Sequence, residues 1–520
     1  VATAALSKPN LEVPSKGLLT LSLMLATTMQ MLDTTIANVA LPHMQGSLSA
    51  SQDQIAWVLT SYIVAAAIAT PLSGWMGDRF GRKAVVQMAV AGFTVASALC
   101  GMATSLPEIV AFRFIQGLFG AALIPLSQSI MLDINPREKI GQAMAIWGAG
   151  IMVAPILGPT LGGWITDNYS WRWVFYINVP FGIIAFFGTQ AFMPGGEHGR
   201  HRPFDFMGFA LLSVGIASLQ LMLDRGQQKD WFSSTEILIE AAVAFCCFWV
   251  FAIYVTMAKH PFLQPKLLKD RNFASGLVFM TILGTILMST MALLPPLLQG
   301  LMQYTALGAG WVMMPRGAAT MVAMIVVGRL TGKIDSRIML FIGFSCMALA
   351  QWQMASFSLL MDDRLLIMSS LLQGWGMGFI FPPLTAIGFV TLSPALRNEG
   401  TAVFNLVRNV AGSIGISFAE AFLTQKMQTS HADLATHVTP YADAFRGPTA
   451  VHLWNLHSTQ GLAAINGEVT RQAAMVAYVD VFKLMLLMTV ACLPFIFLLR
   501  KGAAIPGGAA PPQHAAAALD

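Results

Sequence analysis

The sequence predicts an all-α protein that crosses a membrane many times. Its 520 residues are 56% hydrophobic and 11% charged, where a soluble domain devotes about a quarter of its residues to Asp, Glu, Lys and Arg. The apolar residues gather in long runs, and a helix needs roughly 20 of them to cross a bilayer. The chain therefore has room for a dozen or more spans with residues left for loops. The net charge is +5, yet the basic residues recur in short clusters between the runs, as topology signals do. Water is not the main solvent of this fold, and a nucleic-acid partner is not expected.

From the start of the chain the runs cover about 18–41, 54–76, 84–104, 107–130, 140–165 and 172–193. Two more follow at about 206–223 and 236–257, and a second block of six at about 274–299, 306–328, 338–360, 365–391, 400–424 and 475–499. That order divides the chain into a six-helix bundle over 1–193, two inserted helices with linkers over 194–272, and a second six-helix bundle over 273–500. An outer loop is expected at about 426–474, a tail at 501–520. With both termini in the cytoplasm, nineteen basic residues fall in inner segments and seven in outer loops, the asymmetry that the positive-inside rule asks of fourteen spans in this orientation. Two echoes relate the bundles. Gln116, Gly117 and Pro125 recur as Gln373, Gly374 and Pro382, and the basic loop Gly74–Lys83 is matched loosely by Gly328–Arg337. Transporters built from repeated bundles bind substrate between the halves near the midplane.

Other function classes find little support. The five cysteines (Cys100, Cys246, Cys247, Cys346 and Cys492) lie in apolar runs without metal-ligand spacing, so they read as small buried apolar residues, with neither disulfides nor zinc expected. No Gly-x-x-x-x-Gly-Lys-Ser/Thr phosphate loop and no nucleophile cluster occurs, which argues against an ATP-driven permease or a membrane enzyme. Lys8, Lys16 and two prolines precede a first span that lacks a small-residue cleavage site, so no removable signal peptide is expected.

Chemistry is expected where charge falls inside a span. Asp33 lies in the middle of the first run, where an ionised carboxylate is costly unless paired, hydrated or protonated. At 100° per residue, Thr27, Gln30, Asp33, Thr34 and Asn38 share an arc of roughly 140°, and this polar face is expected to line a water-filled cavity. Arg113 sits about 9 Å below the outer end of the fourth run and Asp33 about 12 Å below that of the first, so the two charges can meet. Arginine keeps its proton in a protein, and a neighbouring Asp that titrates would couple proton binding to release of the pair. Arg316, Arg408 and Glu420 are further charges within runs and are candidate cavity residues, with Arg316 the deepest. Gly150, Ala154, Gly158 and Gly162 recur every fourth residue, with Pro155, Pro159 and Gly163 among them. Such a stripe lets another helix pack closely. The loop Gly74–Lys83 turns at Gly81, with Asp78 placed to cap or pair and its cations facing the cytoplasm.

Together these segments resemble the major facilitator superfamily, and specifically its fourteen-helix drug:proton antiporter branch of the EmrB type. Leu32 to Pro42 is similar to the first-helix signature and Arg113 to Gly117, with Gln116, to the fourth-helix signature. Gly74, Gly77, Asp78, Arg79, Gly81 and Arg82 resemble the signature cytoplasmic loop, and Gly150 to Gly163 resembles the fifth-helix antiporter signature. Further stretches, Leu223–Gly226, Asp230–Ser234 and Asn405–Gly415 around Arg408, are EmrB-like. The resemblance implies the major facilitator fold, proton antiport, hydrophobic drug-like substrates, and Asp33 and Arg113 as the proton-coupling residues. It implies no cofactor beyond the proton gradient, an inner-membrane location, and a complex with an EmrA-like periplasmic adaptor and a TolC-like outer-membrane channel. A fatty acid or a siderophore is the alternative cargo. Glu420 belongs to no motif of the family.

Overall fold

The computed structural model describes residues 13–136, 139–195, 203–393, 396–439 and 458–499. Among these the chain is almost wholly helical, with no strand. In order the helices are α1 (Lys16–Ser47), α2 (Gln52–Phe80), α3 (Arg82–Met102), α4 (Leu106–Gly120), α5 (Leu123–Ile134), α6 (Ile140–Ile151), α7 (Val153–Asn168), α8 (Trp173–Tyr176) and α9 (Asn178–Phe192). They continue with α10 (Phe206–Arg225), α11 (Thr235–Met257), α12 (Lys266–Lys269), α13 (Arg271–Pro296), α14 (Ala306–Leu330), α15 (Ser336–Met354), α16 (Asp363–Val390), α17 (Arg397–Thr436) and α18 (Thr459–Cys492). The apolar runs make these segments helical because in lipid a helix alone satisfies its backbone internally. Short polar side chains set several starts. Ser51 and Gln54 form a reciprocal capping box on α2, and Asp205, Asp270, Thr305, Asp335 and Ser458 accept from backbone amides at the starts of α10, α13, α14, α15 and α18.

Twelve helical stretches among the described residues are long and apolar enough to cross a membrane. The fourteen expected runs thus include two that fall below that measure, α1 and α15. In α1 the polar residues Thr27, Gln30, Asp33, Thr34 and Asn38 dilute the run; α15 is short and carries Arg337, Gln351 and Gln353. Both nevertheless pack lengthwise in the bundles, α1 on α7 and α9, and α15 on α16. In the first half α2 packs on α4, and α3 on α4 and α9; in the second, α14 and α15 pack on α16, and α17 on α13 and α18. The halves meet along α2 with α17 and along α14 with α6 and α7. Trp147 of α6 and Phe381 of α16 also stack between the halves, at 6.5 Å, in a core that draws residues from both.

Several boundaries move. The helices flanking the expected outer loop are longer than their apolar runs: α17 continues to Thr436 and α18 begins at Thr459. His431 and Asn466 meet at 3.0 Å where the two run side by side, so much of 426–474 is a polar helical pair, and hydropathy could not register it. Residues 440–457 and the tail 501–520 lie outside the described residues. The cysteines also divide: Cys100 and Cys492 are buried, but Cys246 is exposed on α11. That helix packs on α10 and leaves Phe245 and Trp249 uncovered, as suits a helix whose outer face meets lipid.

Candidate functional site

The polar centre of the first half is built from α1, α2, α3, α4 and α9. Arg113 and Gln116, one turn apart on α4, face α1 together. Arg113 Nη1 donates to Asp33 Oδ2 at 2.5 Å and to Gln116 Oε1 at 2.8 Å, and its Nε donates to the Val58 carbonyl at 3.1 Å. Asp33 Oδ1 accepts from Gln116 Nε2 at 2.9 Å and from Asn178 Nδ2 at 2.8 Å. Asn178, at the start of α9, is held in turn by Ser97 of α3 at 3.0 Å. The guanidinium lies 4.3 Å from the Tyr62 ring centroid and 5.6 Å from that of Phe175, a position attractive to a cation. The two charged side chains are 0% and 1% exposed. An ion pair so placed needs every lone pair and proton satisfied, and losing either partner strands the other charge.

This arrangement differs from the expected water-lined face. In this conformation Asp33 is sealed, and the arc on α1 splits. Thr27 and Gln30 are buried with Asp33, Thr34 is half-buried and bonds back to the Met31 carbonyl, and Asn38 is exposed and bonds back to the Thr34 carbonyl. Thr27 lies between Thr34 and Asn38 around the helix axis, so the split follows depth and not angle: exposure grows along α1 from Asp33 through Thr34 to Asn38. Ser97 and Asn178 escaped sequence reading. Asn178 is a polar residue inside the apolar run 172–193, which was a signal, and the structure places it at the start of α9.

The other candidate charges lie apart from this centre. Arg316 of α14 is buried, and its Nη1 donates to Gln373 Oε1 of α16 at 3.3 Å. Among the described residues, Arg408 of α17 donates to the neighbouring Asn409 alone, at 3.4 Å. Glu420 is exposed, with Asp224 of α10 as a charged neighbour.

The glycine stripe packs on α1. A Cβ at Gly150 would fall 1.9 Å from Met24 Cε and one at Gly158 2.1 Å from Thr35 Oγ1, while one at Gly162 would meet Ile36 at 3.3 Å. Gly163 faces open space. The span breaks at Met152, between α6 and α7, so Pro155 falls in the first turn of α7 and Pro159 further along it.

The signature loop does more than anchor topology. A Cβ on Gly74 would lie 3.0 Å from Glu399 Cα, and one on Gly77 3.0 Å from Leu126, so α17 reaches the α2 backbone. Asn398 joins Asp78 to Ser129, Arg397 pairs with Asp133 and donates to the Leu132 carbonyl at 3.2 Å, and Arg82 pairs with the same Asp133. Arg82 therefore does not simply face the cytoplasm, as the sequence suggested; Arg79 lies in the last turn of α2. Deeper in, Asn405 donates to Gln128 at 2.7 Å. These bonds clasp α2 and α5 to α17 and close the basic end of the molecule. Gly81 makes the turn into α3 at φ +83°, a conformation that favours glycine. The echo at Gly328–Arg337 turns on Gly332 at φ +85°, but not at the aligned position, so only its outline is repeated.

Residues 23–416 match the Major Facilitator Superfamily. The chain belongs to that superfamily. Within it, the chain is 38% identical over 468 residues to the multidrug export protein EmrB of Haemophilus influenzae, covering 89% of this chain and 92% of that one, so it also belongs to the EmrB-type branch. It is 36% identical over 495 residues to the fatty acid resistance protein FarB of Neisseria gonorrhoeae, covering 95% and 97%. Among solved structures, the major facilitator proton:xylose symporter XylE shares the fold with a TM-score of 0.56 at 14% identity, over 92% of this chain and 96% of that one. This major facilitator protein is thus a multi-pass membrane transporter for small molecules rather than an enzyme.

Proposed function

We propose that this transporter exports hydrophobic drug-like compounds in exchange for protons, with Asp33 as the proton-binding group. The observation that carries the reading is the Asp33 carboxylate, sealed in the bundle with Arg113, Gln116 and Asn178 as its donors. Protonation would cancel the charge that holds Arg113 and loosen three donors from two helices, α4 and α9, at once. A ligand shifts a two-state equilibrium only through such a differential interaction. The multidrug export relatives support this cargo class, and FarB supports a fatty acid as the second reading.

In this reading the protein lies in the bacterial inner membrane with both termini cytoplasmic, so the clasped basic end faces the cytoplasm. The polar helical pair beyond residue 426 would dock an EmrA-like adaptor that leads to a TolC-like channel. Purified protein in ATP-free liposomes under an imposed pH gradient tests the core of the proposal. Drug-stimulated proton flux is expected; drug movement indifferent to the pH gradient would overturn it.

A further inference from the structure

The two halves repeat one construction and differ in one respect. Gln116 and Gln373 occupy matching places on α4 and α16. The glycines that follow them seat against matching helices: a Cβ on Gly117 would strike the Tyr62 carbonyl of α2 at 2.5 Å, and one on Gly374 the Arg316 carbonyl of α14 at 2.0 Å. Arg316 therefore stands in the second half where Tyr62 stands in the first. In the first half the glutamine joins an arginine to a carboxylate, its Oε1 accepting from Arg113 and its Nε2 donating to Asp33. In the second half Gln373 Oε1 accepts from Arg316, but Gln373 Nε2 is buried without a partner among the described residues.

No carboxylate neutralises Arg316 among the described residues, although its side chain is deep in the bundle with only 9% of the residue exposed. The residue spaced from Asp33 as Gln373 is from Gln116 is Thr290, whose hydroxyl donates to the Ile286 carbonyl. A buried, uncompensated guanidinium beside an orphaned amide N–H is an acceptor-shaped deficit. Buried charges are ordinarily paired, and Arg with an amide donor matches a carboxylate.

We infer that Arg316 and Gln373 form the headgroup subsite for a hydrophobic carboxylate cargo, whose carboxylate takes the place that Asp33 takes in the first half. The inference rests on the export reading and narrows it to anionic amphiphiles. The apolar remainder of the cargo lies against the bundle interior, and its charge is neutralised near the midplane, where Arg316 sits at the middle of α14.

The test measures binding of dodecanoate and of the uncharged dodecanol to the purified full-length protein, in the wild type, Arg316→Gln, Arg316→Lys and Gln373→Glu. Dodecanoate affinity should fall about 10- to 100-fold in Arg316→Gln, the loss of one charge-assisted contact, and partly recover in Arg316→Lys. Dodecanol affinity should be unchanged in all four. Gln373→Glu supplies an internal carboxylate, so it should abolish dodecanoate binding while raising thermal stability. Unchanged dodecanoate affinity in Arg316→Gln, or equal loss of both probes, overturns the subsite. A wild type that binds and exports dodecanol-like neutral compounds but ignores dodecanoate also overturns it and leaves the export reading intact. Failure to move any probe under a pH gradient overturns the export reading itself.

Discussion

Replacing Asp33 by Asn changes almost no volume and removes one charge from a pair that is 0% and 1% exposed. The amide cannot serve all three donors. If its oxygen accepts from Gln116 and Asn178, its NH2 confronts Arg113; if it turns to Arg113, the NH2 confronts the other two. At least one donor is stranded either way, and in the first orientation Arg113 keeps Val58, Gln116 and the Tyr62 and Phe175 faces. Breaking a buried pair from one side costs about 3–5 kcal/mol, and these remaining partners place Asp33→Asn near ~3 kcal/mol. Adding Arg113→Gln removes the stranded charge and should recover at least about 1 kcal/mol, a coupling that a double-mutant cycle reads directly. Transport should not follow stability. Both variants should lose drug-induced proton release and gradient-driven export, measured on folded protein in liposomes, while Asp33→Glu keeps part of the activity. Normal coupled transport by Asp33→Asn would refute the reasoning, reduce Asp33 to a structural partner of Arg113 and move the proton site, with Glu420 the next candidate.

Asp133→Asn should weaken the bonds to both Arg82 and Arg397, a loss of about 3 kcal/mol or roughly 100-fold in favour of opening at the basic end; spin labels at Phe80 and Ile338 should then report a longer distance, and an unchanged distribution would show that the clasp does not hold that end. Gly158→Val drives a side chain into Thr35 and should cost about 1–3 kcal/mol of thermal stability, whereas Gly163→Ala, which meets open space, should be neutral; equal behaviour of the two would refute the α1–α7 contact. Cysteines at positions 230 and 259, beyond opposite ends of the inserted hairpin, should label from opposite sides of the membrane. Labelling from one side would refute a spanning α11.

Sequence alone revealed features governed by composition and helical periodicity. Asp33 and Arg113 could be paired in advance because depth along a helix follows from counting residues, and the stripe at Gly150, Gly158 and Gly162 because close packing needs small residues at one spacing. What sequence could not supply were partners that depend on tertiary approach. Asn178 and Ser97 complete the Asp33 centre from helices far along the chain, and Asp133, Asn398 and Arg397 looked like loop polarity until α17 was seen against α2 and α5. The outer ends of α17 and α18 were hidden for a different reason: they are helical outside the apolar slab, where hydropathy carries no signal.

The inserted hairpin has a consequence of its own. Leu212 and Ile216 of α10 share one apolar cluster with Ala67 of α2 and Leu406 of α17, and at its far end Asp224 accepts from Thr60 while the Leu223 carbonyl accepts from Ser417 at 2.7 Å. One helix thus seals the crack between the halves on that flank, bonded to each side of it. A lipid-dissolved molecule cannot slip in there sideways without prising α10 from one half. The two flanks of the transporter are therefore unequal, because α10 covers the seam of α2 with α17.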